Sequence, residues 1–576
     1  MTIKICKKRQ SILDSKSHCL VLGGPGSGKT TLALLKAINR IDQHLSPGQN
    51  VLFLSFSRAA VARIADAAKK DVPQAKIAAL SIQTFHSFFW FILQGHGYLL
   101  GAPRFLSIVP AHEEKALRDG IERDNPLWVD WEKKREKMFY SEGRVCFDLF
   151  APLASELLSR TKRVCKLLSR RFPLILVDEA QDTGNEQWEC IHLLSKDSQI
   201  ICLADPDQMI FDYLPGVGPG RIAEIRKILK PLEIDLEDEN NRSAGTDILK
   251  FARDVFAGQA NQVSYKGVSR KLFNPTVTSR DKAIRQSIGI LIKRIEDETG
   301  EKPKSIALIS SYTNGVAIIS AALQKQTPIQ HNVFFDEAFA LLSSRTAAFL
   351  LEPKKIENHA HDVATVLDMV SLAFRTKGTK TARAFSIKSA MYSLKCRDGK
   401  APKVSIVKAA DSIVTAARNT TWSGNPRKDW ITAKHLFKQA KDKTLVGMGF
   451  SLDYLVSFGK GDRIAESLSS LWMQYGSYVD CRRVFDIALT QEQLFSDRTT
   501  ITGIHVMNMH KCKGKQFDGV VLYRQQYHSP FIWQRDASPY PISRRILHMA
   551  ISRAKQHVLI LEEAYPNCPI MSAYEL

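Results

Sequence analysis

The stretch HCLVLGGPGSGKTTLALLKAI, His18–Ile38, decides how the rest of the chain is read. Four apolar residues, Cys19–Leu22, have the pattern of a buried strand; a glycine-rich turn follows, then leucines at helical spacing. Gly23, the run Gly24-Pro25-Gly26-Ser27, and Gly28-Lys29-Thr30 fit the P-loop pattern between a strand and a helix, where that pattern belongs. Its glycines let backbone N–H groups close around a β-phosphate at a helix N-terminus. Lys29 is placed to reach the β and γ phosphates and Thr30 to ligate Mg²⁺, with Thr31 beside it in the first helical turn. A glycine turn of the same spelling needs no nucleotide, but it also needs neither this strand nor this helix.

A second strand end carries acid. FPLILVDEAQD, Phe172–Asp182, reads as a buried parallel strand over Leu174–Val177 that ends in Asp178-Glu179. An Asp at such a tip can hold Mg²⁺ through water, and the adjacent Glu179 is placed to orient or deprotonate an attacking water. That pair favours hydrolysis over transfer to a small molecule. A third segment, LADPDQMIFDYLPG (Leu203–Gly216), runs from an acidic strand end into Phe211 and Tyr213, whose rings share one side of an extended chain.

The bulk numbers set bounds. At 576 residues the chain exceeds one hydrophobic core, so several domains are expected. The net charge of +22 points to a nucleic-acid partner, since neutralising phosphates releases counterions. A solvated basic surface is the alternative. Ten scattered cysteines without a CxxC pair argue against a structural metal and for a reducing, cytoplasmic setting. No apolar run reaches the ~18–20 residues of a membrane span, so no membrane association is expected.

With these segments in place the chain resembles superfamily 1 DNA helicases of the UvrD/Rep/PcrA type, in motif order and over almost its whole length. Gln10 matches the family's adenine-reading glutamine. FLSFSRAAVARI resembles its next segment, with Phe56 and Arg58 at nucleic-acid-facing positions, and TFHSF supplies Thr84 and His86. ADPDQMIFDY, ENNRSAGTDIL, VMNMHKCKGKQFDGVVLY and RRILHMAISRAK follow in the family's order. The resemblance implies that Gln208 senses the γ-phosphate and that Arg242 and Arg553 approach it from a second motor domain as arginine fingers. It implies that Phe211, Tyr213 and His510 contact bound DNA, and that Arg544 and Arg545 serve inter-domain pairing. ATP and Mg²⁺ are the implied cofactors, and the implied mechanism is a 3′-to-5′ ratchet along single-stranded DNA. Departures stand at Asn241, where the family stacks a tyrosine on adenine, and at Gln516, where a glutamate reaches the ribose. An amide can still bond a hydroxyl, without charge assistance.

The expected fold is α/β: two RecA-like P-loop motor domains with parallel sheets flanked by helices, each carrying a mainly helical insertion. The first motor domain would take residues 1–90 and 146–240 around a short insertion, 91–145. The second would take 241–345 and 490–576 around a basic helical insertion, 346–489. Ser305–Ser311, Phe517–Tyr523 and His557–Glu562 read as its strands, and TWSGNPRKDW (Thr421–Trp430) as a loop whose tryptophans anchor a core. The insertion holds FRTKGTKTARAFSIKSAMYSLKCRDGK, dense in Lys and Arg with a single Asp, suited to duplex, to a partner protein, or merely to water. The chain ends soon after HVLILEEAYPNCPIMSAYEL, so no RecB-like nuclease domain is expected.

Two functions compete. One is an ATP-dependent translocase or helicase on single strands and single–double strand junctions, in repair or antiphage defence. The other is a DNA-stimulated regulatory ATPase that senses or loads DNA and licenses a partner nuclease without processive unwinding. Short UvrD-like chains resemble the helicase subunit of the Gabija antiphage system, which works beside an OLD-family nuclease. A P-loop kinase or GTPase would explain neither DEAQD nor the C-terminal arginine motifs.

Overall fold

The computed structural model describes residues 5–43, 45–71, 73–119, 121, 125–208, 217, 220–236, 242–261, 264–325, 327–334, 338–377, 379–452, 463–495, 502–533 and 536–576. Phe211, Tyr213 and Asn241 lie outside them, as does the side chain of Gln208. The chain divides into two compact units. One combines Met1–Ile92, Ala151–Phe335 and Asp497–Leu576; the other combines Leu93–Phe150 and Asp336–Ser496.

The strands in chain order are β1 (Cys19–Leu22), β2 (Val51–Ser55), β3 (Leu80–Thr84), β4 (Ser107–Val109), β5 (Arg144–Cys146), β6 (Leu174–Val177), β7 (Gln199–Ala204), β8 (Leu232–Asp235), β9 (Val268–Phe273), β10 (Ser305–Ser310), β11 (Asn332–Phe334), β12 (Gly503–Asn508), β13 (Phe517–Arg524) and β14 (Ala554–Glu563). The first unit holds two all-parallel sheets among the described residues, ordered β3-β2-β6-β7-β1-β8 and β11-β12-β10-β13-β14-β9. Parallel strands buried on both faces read as unbroken apolar runs, which is why CLVL and LILV are wholly buried strands.

The first sheet is covered by helices such as Lys29–Asp42, which turns Leu32, Ala33, Leu34 and Ala37 into a core with Val21, Phe53, Leu174 and Ile201. Its order matters for chemistry. β7 lies between β6 and β1, with Leu22 opposite Ala204 and Val177 opposite Cys202. The tips that lead into the P-loop, Asp178 and Asp205 are therefore neighbours at the carboxyl edge, where open α/β sheets bind ligands. The second sheet packs Ala307, Ile309, Val520, Leu522, Val558 and Ile560 against the helices Ile248–Ala257 and Pro541–Ile551. Its expected strand at Ser305–Ser311 stops one residue early, because the Ser311 N–H bonds the Ser529 hydroxyl at 3.0 Å instead of continuing the ladder.

The second unit is mainly helical, with β4 and β5 as a short parallel pair. Ala116 of the first insertion shares one core with Leu350, Val366, Ile413, Trp430 and Phe485 of the second. TWSGNPRKDW is a loop only to Asn425. The Asn425 carboxamide oxygen accepts from the N–H groups of Arg427 and Lys428, and Pro426 opens the helix Pro426–Lys438. Trp430, inside that helix, stacks on Phe485 at 5.3 Å, and Trp422 packs on the same core.

Candidate nucleotide site

The P-loop begins where β1 ends. Gly28 has φ +90° and caps the helix, its carbonyl accepting from Leu32 N–H at 2.9 Å; a side chain there would be strained. The Lys29 ammonium is held by the carbonyls of Gly23 and Gly24, the latter at 3.0 Å, and lies 3.9 Å from Asp205. The Ser27 hydroxyl donates to the Gly24 carbonyl at 2.9 Å, and buried Arg9 donates to the Ser27 carbonyl at 3.3 Å. Thr30 and Thr31 sit half-buried in the first helical turn, while Pro25 is buried and Gly26 takes φ +83°. Gln10 is exposed on the helix Lys7–Asp14, and its amide donates to Asp14 at 2.9 Å.

The carboxylates gather beside this turn. Asp178 is almost fully buried, its N–H bonded to the Leu54 carbonyl at 2.9 Å and a carboxylate oxygen accepting from the Ser55 hydroxyl at 3.3 Å. Burial, reinforced by Glu179, pushes the Asp178 carboxyl up to about 6. Asp205 is likewise pushed up to about 6 by burial, against the pull of Lys29. Glu179 adopts φ +53°, a left-handed conformation that costs a residue with a side chain about 1–3 kcal/mol. Burial alone would raise its pKa, but the ammoniums of Lys513 and Lys29 and a 2.7 Å bond from the Gln181 amide outweigh it, and the Glu179 carboxyl falls below its ordinary value.

From the other side come cations of the second sheet's amino edge. Arg553 immediately precedes β14 and is buried; its Nε donates to the Met549 carbonyl and its Nη2 to the Ser552 hydroxyl, each at 2.9 Å. Arg242 donates to the Ser552 carbonyl at 3.0 Å. Burial, with Arg553 and Arg63 close by, draws the Arg242 pKa well below its ordinary value, while Glu179 and Asp205 oppose the fall. Gln516 immediately precedes β13. With its amide oxygen facing the guanidinium, it accepts from Arg242 Nε at 3.0 Å, Arg242 Nη2 at 3.1 Å and Arg63 Nη1 at 3.3 Å. Its oxygen is thus directed at two arginines.

Four residues assigned no role from the sequence complete the site. Arg63 reaches across to the Gly514 carbonyl at 3.4 Å and lowers the Asp178 pKa. Asp182 pairs with Lys513 in a buried contact that links the carboxyl edge of the first sheet to the segment before β13. Gly514, at φ +77°, comes so close to the first half that a Cβ would lie 2.5 Å from the Ser57 hydroxyl. The signals were present as the last acid of DEAQD and the second lysine of HKCKGK; for Arg63 there was only a charge among alanines. Arg544 departs from its expected inter-domain role. Its guanidinium donates to the carbonyls of Pro539 and Val255 within the second half, at 2.7 and 2.8 Å.

Asp182 gives the site a pH signature. Burial pushes its carboxyl up to about 7, against the pull of Lys513. A carboxyl with a raised folded pKa stabilises the folded state at low pH, and that contribution is lost as pH rises from about 4 to about 7. Asp182→Asn is therefore expected to gain on the order of 1 kcal/mol over the native chain between pH 5.5 and pH 8. Paired thermal melts at both pH values test this; a constant difference between the two chains would refute it.

The DNA-facing candidates occupy the carboxyl edges of both sheets. Phe56 follows β2 and packs on Phe85 at 5.0 Å. Thr84 ends β3 and, nearly buried, accepts from Ser87 N–H at 3.1 Å, so it caps the helix that carries His86. Arg58 is exposed at the first position of Arg58–Asp71. His510 follows β12 and meets Trp533 edge-on at 5.1 Å, and Trp533 in turn meets Tyr312 at 5.0 Å. Trp533 and Tyr312, which make a half-exposed trio with His510, were not read from the sequence.

Residues 6–141 and 136–230 match the model of the UvrD/REP helicase N-terminal domain. Over those residues the chain is similar to the UvrD/Rep helicases. The chain is similar to YjcD of Bacillus subtilis (strain 168), provisionally named an ATP-dependent DNA helicase, at 23% identity over 97% of this chain and 78% of YjcD. It is 26% identical to the ATP-dependent DNA helicase Rep of Buchnera aphidicola subsp. Acyrthosiphon pisum over 46% of each chain. The ATP-dependent DNA helicase PcrA of Staphylococcus aureus (strain Mu50) is 23% identical over 44% of this chain and 40% of its own. The chain thus spans less than half the length of the Rep and PcrA relatives it matches.

Proposed function

We propose that this UvrD/Rep-type chain is an ATP hydrolase that drives movement along single-stranded DNA in the 3′-to-5′ direction and opens duplex at junctions. One observation carries the reading: buried carboxylates at the carboxyl edge of the first sheet face guanidiniums at the amino edge of the second. A site divided between two sheets makes hydrolysis sensitive to their separation, which a motor needs and a simple hydrolase does not. The basic surplus of the chain and the half-exposed rings at the strand tips suit a phosphate backbone and its bases.

The residues divide the work. Lys29, now folded onto the P-loop carbonyls, would turn to the β and γ phosphates, and the backbone from Gly23 to Thr31 would cradle them. Glu179 is held ionised at neutral pH and can accept a proton from water. Arg242 and Arg553 would neutralise charge on the departing γ-phosphoryl group. The donor set fits Mg²⁺: Thr30 and Asp178 would hold it, and the crowding that raises the buried Asp178 carboxyl is relieved by a cation. When bound, Mg²⁺ neutralises phosphate charge. Gln10 would read the adenine.

Strand displacement from 3′-tailed and 5′-tailed duplexes, with Lys29→Ala as the control, tests the proposal. Displacement from the 3′ tail alone is expected, with turnover in the variant reduced on the order of 10²–10³-fold and DNA binding retained. DNA-stimulated hydrolysis without displacement on either tail would favour the regulatory ATPase that licenses a partner nuclease. Undiminished turnover in Lys29→Ala would refute the site itself.

A further inference from the structure

The helix Lys380–Arg397 of the second unit is inside out. Its buried positions are Ala382, Ser386, Ser389, Ser393 and Cys396, a row of small and mostly polar residues. They let it lie close against the helix His359–Arg375, where the Ser371 hydroxyl donates to the Ser386 carbonyl at 2.9 Å. The larger apolar side chains point the other way. Ile387 is 61% exposed, Met391 43% and Leu394 60%, with exposed Ala384 one turn before them. Hydrophobic residues scattered over a surface need no explanation, but a contiguous row on one helix face does.

The spacing of that row is specific. Ala384, Ile387, Met391 and Leu394 follow one another by three, four and three residues, the a and d positions of two successive heptads. The flanking e and g positions are then Arg383, Lys388, Ala390, Lys395 and Arg397. The helix contains no acidic residue. Arg383 pairs with Asp119 at 3.3 Å and Arg397 with Asp368, while Lys388 and Lys395 have no ion-pair partner among the described residues. Two copies of this seam would bring like charges together along both flanks, which disfavours self-pairing. Duplex DNA would satisfy the cations but leave Ile387, Met391 and Leu394 in water.

We propose that this face is a docking seam for an amphipathic helix of another protein, with apolar a and d positions and Glu or Asp at e and g. Lys388 and Lys395 select the partner's charge, and the apolar row supplies the buried area. The seam is about 15 Å long at 1.5 Å per residue, so the contact is short and suits a reversible partner.

The test uses the full chain and a synthetic three-heptad helix with Leu at a and d and Glu at e and g, too self-repulsive to pair with itself. Fluorescence anisotropy is expected to show saturable binding that weakens with salt. Lys388→Glu/Lys395→Glu should weaken it at least tenfold and should instead bind the same peptide carrying Lys at e and g. Ile387→Asp/Leu394→Asp should abolish binding of the Glu peptide, with hydrolysis of ATP unchanged as the control for folding. Equal binding of Glu and Lys peptides, or of neither, would overturn the proposal. So would concentration-dependent dimerisation of the full chain lost in Ile387→Asp/Leu394→Asp, or displacement of the Glu peptide by duplex DNA.

Discussion

Arg553→Ala is expected to lower DNA-stimulated ATP turnover by on the order of 10³-fold or more, the scale on which arginine fingers act. The guanidinium is buried and fixed from behind by the Met549 carbonyl and the Ser552 hydroxyl. It shares the site with Arg242, Arg63 and the Glu179 carboxylate. Burial and Arg63 lower its pKa, so the cation is costly to keep there, and charge growing on a phosphoryl group offsets that cost at the moment of reaction. Arg553→Lys keeps the charge and loses the planar fork, so it should recover only part of the rate. Turnover and nucleotide affinity, measured separately, distinguish the roles. A fall in kcat with affinity nearly kept supports the finger. A loss under tenfold, or a melting temperature that falls in step with activity, would reduce Arg553 to a helix-end prop.

The strands of this site could be read because burial on both faces leaves nothing but apolar residues between charged tips. Cys19–Leu22 and Leu174–Val177 begin and end where the sequence places them. Long-range geometry was a different matter. Arg63 lies five residues beyond Arg58 on one helix, and its partners, the Gly514 carbonyl and the Gln516 amide, lie far along the chain. Gln516 was read through the family's glutamate, but its amide meets Arg242 and Arg63, two cations whose positions no local pattern reveals. Thr421–Trp430 read as a loop because the same two residues that break a chain, Asn425 and Pro426, also open a helix. The helix Lys380–Arg397 misled in another way: its charge was legible, but not the burial of its serines in place of its leucine and isoleucine.

Glu179→Gln should lower hydrolysis by about 10²–10⁴-fold, the range of a lost general base, while nucleotide binding persists. The substitution keeps size and shape, which matters because the residue is held at φ +53° and an unrelated side chain would confound strain with chemistry. In the native chain Lys513 and Lys29 keep the carboxylate ionised against its burial, and Gln181 donates to it at 2.7 Å. An amide retains a hydrogen-bonding oxygen but cannot take a proton from water at neutral pH. Its neighbour provides the contrast. Asp178 sits one residue earlier, pushed up to about 6, with Ser55 as its hydroxyl partner, and is the proposed cation ligand. Asp178→Asn is therefore expected to lose the gain in nucleotide affinity that Mg²⁺ brings, whereas Glu179→Gln should keep it. Nucleotide titrations with and without Mg²⁺ on both variants read this directly. If both lost the Mg²⁺ effect equally, the two carboxylates would act as one cation site, and the base would have to be sought elsewhere.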